Sequence, residues 1–147
     1  MANPMELTTF SMVLRYTLQL EDQTAQFYRS LAANNTLTQA RDLFTKFASD
    51  SDKRKKDLER TARESVDHSL LEPVSGLLEE TYTLNTAIPD GAKTSDVISA
   101  ARSLEETMTK FYTDAGDKIK FISNVSRLYR RYSQDRQKAL AALQDFA

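Results

Sequence analysis

Apolar residues recur at intervals of three and four along four long stretches of the chain, and this spacing predicts four α-helices. The predicted helices cover about residues 4 or 8 to 33, 36 to 71, 94 to 115 and 118 to 145. The 147 residues include only three glycines and three prolines. Because these residues interrupt helices, their scarcity favours long ones.

Polar and chain-breaking residues mark the predicted helix ends. Asn34-Asn35 is expected to end the first helix, and Thr36 has the capping-box spacing that begins the second. Pro73 is expected to stop the second helix, and Gly116 to break the third. The first helix begins either after Asn3-Pro4 or at Thr8.

The longest predicted connection covers residues 72–94 and contains a turn signal at Pro89-Asp90-Gly91. A short helical piece packed on the bundle is expected within it. Two short links and one long crossover suit an antiparallel four-helix bundle. The chain length fits one domain, residues 1–147.

Acidic residues fall on the inward stripes of the first and third helices, at Glu21 and Glu105. In the fourth helix the residues expected to face inward are Val125, Leu128, Tyr132, Asp135, Ala139, Ala142 and Phe146. If the helical register were off by one position, both glutamates would instead face solvent.

An internal repeat of 84 residues relates the two halves without a gap. Leu20-Glu21 aligns with Leu104-Glu105, and Phe27-Tyr28 aligns with Phe111-Tyr112. In the even helices, Ser51 and Arg54 align with Asp135 and Lys138, a weaker match.

Leu-Glu followed by Phe-Tyr, seen twice, resembles the first and third helices of rubrerythrin-type members of the ferritin-like superfamily. The second helix also resembles that family, with Phe44, Ala48 and Leu58 in the expected frame. The family's bundle holds two irons with one Glu from each of two helices and a Glu-x-x-His pair from each of the others. The resemblance therefore implies a ferritin-like four-helix bundle with a former metal site.

Only part of that ligand set is present. The former metal-site positions implied by the resemblance are Glu21, Ser51, Arg54, Glu105, Asp135 and Lys138. Both histidine positions hold cations, and an arginine neither coordinates iron nor loses its charge. We therefore expect no bound metal and no catalytic residue, with Arg54 paired to Glu21, and Lys138 paired to Glu105 or Asp135. Tyr28 and Tyr112 are expected beside the site as packing residues, with redox relays as the alternative.

Composition narrows the function classes. Apolar residues are 40% and charged residues 28%, the net charge is −1, and there is no cysteine. Thiolate metal sites and cysteine nucleophiles are excluded.

No run of about 20 apolar residues predicts a membrane span, no signal peptide is recognisable, and a soluble, cytoplasmic protein is expected. Two basic clusters alternate with acids, which favours surface ion pairing over nucleic-acid binding. They are Lys53-Arg54-Lys55-Lys56 on the second helix and Arg127, Arg130, Arg131 and Arg136 on the fourth. His68, the single histidine, is expected near a helix end and not at a metal.

Three functions follow from these expectations. The first is a metal-free, non-catalytic bundle that acts as a structural or interaction protein, for which the resemblance suggests a homodimer. The second is a divergent di-iron oxidase, peroxidase or ferroxidase that has rebuilt its iron site from other carboxylates. The third is a small-molecule binder that uses the polar space between the helices near Thr17, Thr24 and Ser51. On the first view, Ser51→Glu, Arg54→His, Asp135→Glu and Lys138→His together are expected to restore metal binding.

Overall fold

Four α-helices form the computed structural model, which describes residues 5–34, 38–64 and 72–146. They are α1 (Phe10–Ala32), α2 (Arg41–Glu64), α3 (Thr94–Lys118) and α4 (Ser123–Gln144). A short 3-10 helix, Thr38–Ala40, precedes α2, and a second one, Glu79–Tyr82, lies within the long connection. No strand occurs in the described ranges, so the predicted all-α class is confirmed.

Several predicted helix ends are shifted. Thr9 caps α1, where its Oγ1 accepts a hydrogen bond from Met12 N at 3.2 Å. The α3 helix continues through Gly116 to Lys118, so the predicted break at this glycine is wrong. Four residues at predicted helix boundaries lie outside the described residues. They are Pro4 at the start of the first helix, Asn35 and Thr36 between the first and second, and Leu71 at the end of the second.

Gly116 lets two helices approach closely. A Cβ built on Gly116 would lie 3.2 Å from the Cβ of Tyr129 on α4. The hydroxyl of Ser126 donates a hydrogen bond to the Gly116 carbonyl at 2.8 Å across the same interface. Contact between α3 and α4, and not a helix stop, therefore accounts for a residue without a side chain at this position.

Helix α1 packs along α2, α3 packs along α4, and α2 also contacts α4. Buried apolar and aromatic side chains from all four helices form one continuous core. Its aromatic rings include Tyr28, Phe44, Phe111, Tyr112 and Tyr129. Burial of such rings contributes most of the driving force for packing the helices.

The long connection lies against the segment that precedes α1. Leu7 N donates to Leu77 O at 2.8 Å, and Val74 N donates to Thr8 O at 2.9 Å, so that two short extended segments pair. The Tyr82 hydroxyl then donates to Asp114 on α3 at 2.7 Å. The turn predicted at residues 89–91 is present, with Gly91 at φ +76°.

Within the described residues, no helix combines the length and the apolar character needed to cross a lipid bilayer.

Candidate functional site: a buried arginine between two glutamates

Each of the four helices contributes a polar or charged side chain to the centre of the bundle. The buried members of this group, called the central cluster below, are Glu21, Tyr28, Ser51, Arg54, Glu105, Tyr112 and Arg136. Glu21 and Glu105 are 0% exposed, so the inward register predicted for α1 and α3 is confirmed. Arg136 is 1% exposed although its guanidinium is charged.

Arg136 joins the two glutamates directly. Its Nη2 donates to Glu21 Oε1 at 2.5 Å, and its Nη1 lies 3.1 and 3.0 Å from Oε1 and Oε2 of Glu105. Nη2 also lies 3.5 Å from the Ser51 hydroxyl. One side chain on α4 therefore contacts α1, α2 and α3. Charge-assisted hydrogen bonds of this kind are among the stronger ones in proteins.

Two tyrosines donate further hydrogen bonds to the carboxylates. The Tyr28 hydroxyl on α1 donates to Glu105 Oε2 on α3 at 2.6 Å. The Tyr112 hydroxyl on α3 donates to Glu21 Oε2 on α1. Each tyrosine follows a glutamate of its own helix by seven residues, and each bonds to the glutamate of the other helix.

Arg54 supplies a second positive charge. Its Nη1 lies 3.9 Å from Glu21 Oε1, so the predicted pairing of Arg54 with Glu21 is confirmed as an ion pair. This distance is too long for a hydrogen bond. The Arg54 guanidinium also lies 5.7 Å from the ring centre of Tyr132, within cation–π range. Two guanidinium groups thus balance two carboxylates in the interior.

The charges shift the pKa values of the buried groups. Burial alone raises the pKa of Glu21, but Arg136 and Arg54 together with the Tyr112 hydrogen bond outweigh it, and the pKa is lowered. Burial and the neighbouring carboxylates raise the pKa values of Tyr28 and Tyr112 well above their usual range. Near neutral pH, Glu21 is therefore ionised, and Tyr28 and Tyr112 are neutral.

Asp135 and Lys138 do not belong to the central cluster. Asp135 is half-buried and Lys138 is exposed, and both line an open cavity between α2 and α4. The predicted pairing of Lys138 with Glu105 is wrong because Arg136 occupies both oxygens of Glu105. Among the described residues, Lys138 forms no ion pair with Asp135 either.

The rotation of α4 explains the error. Its buried positions are Val125, Ser126, Tyr129, Tyr132, Ser133, Arg136, Ala139 and Leu143. Leu128, Ala142 and Phe146, predicted to face inward, are only partly buried. Since one residue turns a helix by about 100°, placing Asp135 inward turns Arg136 away from the core.

A sequence signal for Arg136 exists in the spacing of the even helices. Ser51 and Arg54 on α2 are three residues apart, as are Ser133 and Arg136 on α4, and all four are buried. Three residues is also the spacing of the Glu-x-x-His pair in di-iron four-helix bundles. Matching Ser to Ser and Arg to Arg shifts the α4 frame by two residues from Asp135 and Lys138.

The polar space expected near Thr17, Thr24 and Ser51 is closed. Thr17 Oγ1 shares a hydrogen bond of 2.6 Å with the Tyr129 hydroxyl, and Thr24 Oγ1 donates to Leu20 O at 2.8 Å. All three predicted residues are 0% exposed. Their hydroxyls are engaged inside the protein, and this location does not support the predicted small-molecule site.

The surface ion pairing predicted for the basic clusters is confirmed for Lys55, but the prediction is wrong for Arg54 and Arg136, which are buried in the central cluster. Lys46 pairs with Asp50 at 2.8 Å on α2, and Lys55 pairs with Asp22 on α1 at the same distance. His68, expected near a helix end, lies outside the described residues.

The central cluster is poorly suited to a hard metal cation. Its two carboxylates are held by a guanidinium that has no lone pair to offer and whose fixed charge repels a cation. Across residues 5–34, 38–64 and 72–146, no three His, Cys, Asp or Glu side chains are grouped so that they could hold a metal ion.

The chain was compared with protein-family models, with curated proteins and with solved structures, and none of them matches it.

Proposed function

We propose that this chain is a metal-free, non-catalytic ferritin-like bundle that acts as a structural or interaction protein. The observation that carries the proposal is the position of Arg136 between Glu21 and Glu105. Arginine charges take the electrostatic role that iron has in the proteins it resembles. Without them the two buried carboxylates would each cost several kcal/mol.

The ferritin-like, antiparallel arrangement is part of the proposal, and the tyrosine–glutamate pairs support it. Glu21 with Tyr28 and Glu105 with Tyr112 are related by the 84-residue repeat, and their hydrogen bonds are reciprocal. A twofold arrangement of two similar helix pairs produces this reciprocity. The short α1–α2 and α3–α4 links favour antiparallel pairs, as does the long connection between α2 and α3.

Anaerobic loading with Fe(II), followed by gel filtration and metal analysis, tests the absence of a metal site. We expect only background iron in the purified protein, because a guanidinium occupies the space between the carboxylates. One tightly held iron per chain overturns the proposal.

A gain-of-binding variant tests the proposed ancestry. The variant carries Ser51→Glu and Arg54→His on α2 and Ser133→Glu and Arg136→His on α4. These changes rebuild a Glu-x-x-His pair on each even helix and remove both cations. We expect this variant to bind iron. The matched control keeps the α2 changes but carries Asp135→Glu and Lys138→His on α4, the combination that the sequence alone predicts to restore binding. It leaves Arg136 in place and is expected to bind none.

A divergent di-iron oxidase or peroxidase is the alternative, favoured by one observation. Asp50 and Asp135 line the cavity that reaches Glu105, so further carboxylates lie near the central cluster. Mixing the protein with Fe(II) and oxygen distinguishes the two functions. A new near-ultraviolet absorption band of protein-bound ferric iron supports the enzyme, and its absence supports the metal-free bundle.

If the protein acts through interactions, we expect it to associate with another protein chain. We propose a homodimer formed through a long helix face, as the resemblance suggests, in a cytoplasmic setting that the lack of cysteine favours. Light scattering coupled to gel filtration measures the mass directly. A monomer at all accessible concentrations removes the dimer and leaves the metal-free bundle unaffected.

A further inference from the structure

A cavity of about 430 Å³ lies between α2 and α4, beside the central cluster. Its volume falls within the range of small-molecule pockets in proteins. Glu105 and Arg136 contribute to its lining, so it reaches the buried charges. The proposed structural role assigns no function to this space.

Arg54 lines the cavity and has unused hydrogen-bonding capacity. The residue is 9% exposed, and its Nε is buried without a hydrogen-bond partner among the described residues. Its contact with Glu21 is an ion pair at 3.9 Å without a hydrogen bond. The Nε of Arg136, on the opposite wall, is also buried and without a partner in the described part of the chain. Both Nε atoms are closed to solvent, so a ligand in the cavity contacts Arg54 at the part of its side chain that remains exposed, and not at Nε.

The charge around the cavity favours an anion. Cations outnumber carboxylates among the lining residues. Two of the carboxylates are already paired, Asp50 with Lys46 and Asp57 with Arg60. The cations Lys53, Arg131 and Lys138 form no ion pair with any other described residue.

One end of the cavity is apolar. Leu43 and Phe47 on α2 and Ala139 and Ala142 on α4 form this part of the lining. The two alanines leave room that larger side chains would fill. A ligand suited to the whole cavity therefore carries a negative group at one end and hydrocarbon at the other.

We propose that this cavity binds a small organic monocarboxylate, with its carboxylate on Arg54 and its hydrocarbon part between Phe47 and Ala142. A planar carboxylate matches the fork of a guanidinium. A single negative charge fits better than the double charge of a phosphate, because Asp135 and Asp57 also line the cavity. This inference is independent of the metal-free bundle, since it requires neither the presence nor the absence of iron.

Isothermal titration calorimetry with octanoate and benzoate tests the proposal, with octanamide, benzamide and inorganic phosphate as comparisons. We expect saturable binding of one carboxylate per chain. The amides are expected to bind at least about tenfold more weakly, because a charge-assisted hydrogen bond is lost. Equal affinity for acid and amide, binding of phosphate alone, or no saturable binding with any probe overturns the proposal.

Variants locate the site. Ala142→Phe fills the apolar end and is expected to weaken carboxylate binding at least about tenfold, whereas Ala141→Phe, at an exposed position of the same helix, is expected to leave it unchanged. Arg54→Met is expected to abolish binding. Because Arg54 also balances Glu21, circular dichroism must show that this variant is folded, and Ala142→Phe decides the result if it is not. Full binding by folded Ala142→Phe contradicts the assigned location.

Discussion

The residues next to Arg136 on α4 are mostly polar or charged, so the local sequence alone predicts that this side chain lies on the surface. Arg136 shares α4 with three other arginines, one lysine and one aspartate, and periodicity alone does not distinguish it from these residues. Its burial is tolerable because both guanidinium ends are bonded to carboxylates. The same bonds make the residue difficult to replace, since its loss leaves two negative charges in the core.

Arg136→Met is expected to destabilise the protein by about 3–5 kcal/mol, the usual cost of removing one partner of a buried ion pair. Urea denaturation followed by circular dichroism measures the change. Arg127→Met, at an exposed position on α4, is the matched control and is expected to change stability by less than about 0.5 kcal/mol.

Adding Glu105→Gln to Arg136→Met is expected to recover much of the loss, because Arg54 still balances Glu21 and the Tyr28 hydroxyl keeps an acceptor at residue 105. A double variant as unstable as the single one contradicts this account.

Acid is expected to destabilise the protein through Glu21. Its pKa in the folded state is lowered from an ordinary value of 4.5. The unfolded chain therefore binds this proton more readily, so ionised Glu21 stabilises the fold above about pH 4.5 and this contribution is lost as the pH falls below that value.

Stability measured by urea titration at a series of acid pH values checks this dependence. Glu21→Gln is expected to flatten the dependence, and Glu59→Gln, at an exposed position on α2, is expected to preserve it. If Glu21→Gln loses stability at acid pH as much as the unchanged protein does, groups other than Glu21 cause the loss.

At the scale of the elements, the odd helices were predictable and α4 was not. On α1 and α3, Glu21 and Glu105 lie in stripes rich in apolar and aromatic residues, and those neighbours fix which face is buried. On α4, Leu128 is predicted to face inward, yet it is only partly buried, and Tyr129 takes the central position. Two adjacent charged residues, Asp135 and Arg136, then exchange roles. Hydrophobic periodicity cannot decide between them because neither is apolar.

The contact between α3 and α4 gives a prediction at this scale. Gly116→Ala is expected to destabilise the protein by about 1 kcal/mol, because the added methyl group meets the buried Tyr129 and overpacking costs more than the gain in helix propensity.

Ser99→Ala, at an exposed position on α3, is the control for propensity alone and is expected to stabilise by a few tenths of a kcal/mol. Thermal unfolding by calorimetry measures both. A Gly116→Ala variant as stable as the Ser99→Ala variant shows that Tyr129 yields to the methyl group.

For the whole molecule, the order of helices and the long connection follow from the sequence, but the path of the connection does not. Its pairing with residues 5–9 uses backbone groups, which carry no side-chain signature. The balance of charge in the interior is likewise a property of the assembled bundle. Glu21 and Arg136 are 115 positions apart in the chain.

Alkaline pH tests this shared interior. Burial and neighbouring carboxylates raise the pKa values of Tyr28 and Tyr112 above their ordinary value of 10.0. Their neutral forms stabilise the fold below that pH, and the contribution is lost as the pH rises beyond it.

We expect tyrosinate absorbance of the buried rings to appear together with the loss of helical circular dichroism. Tyr28→Phe and Tyr112→Phe are expected to reduce the part of the absorbance change that accompanies unfolding. Smooth titration of all six tyrosines in a protein that stays helical contradicts a closed interior.

The bond from Arg136 to Glu21 has a consequence for the order in which the chain folds. The α3–α4 pair contains both Glu105 and Arg136, so it can neutralise its own acid as soon as it forms. The α1–α2 pair has only the looser Arg54 contact for Glu21. We therefore expect the C-terminal pair of helices to form first and the N-terminal pair to dock on it. A half-assembled chain would keep Glu21 hydrated until that docking occurs.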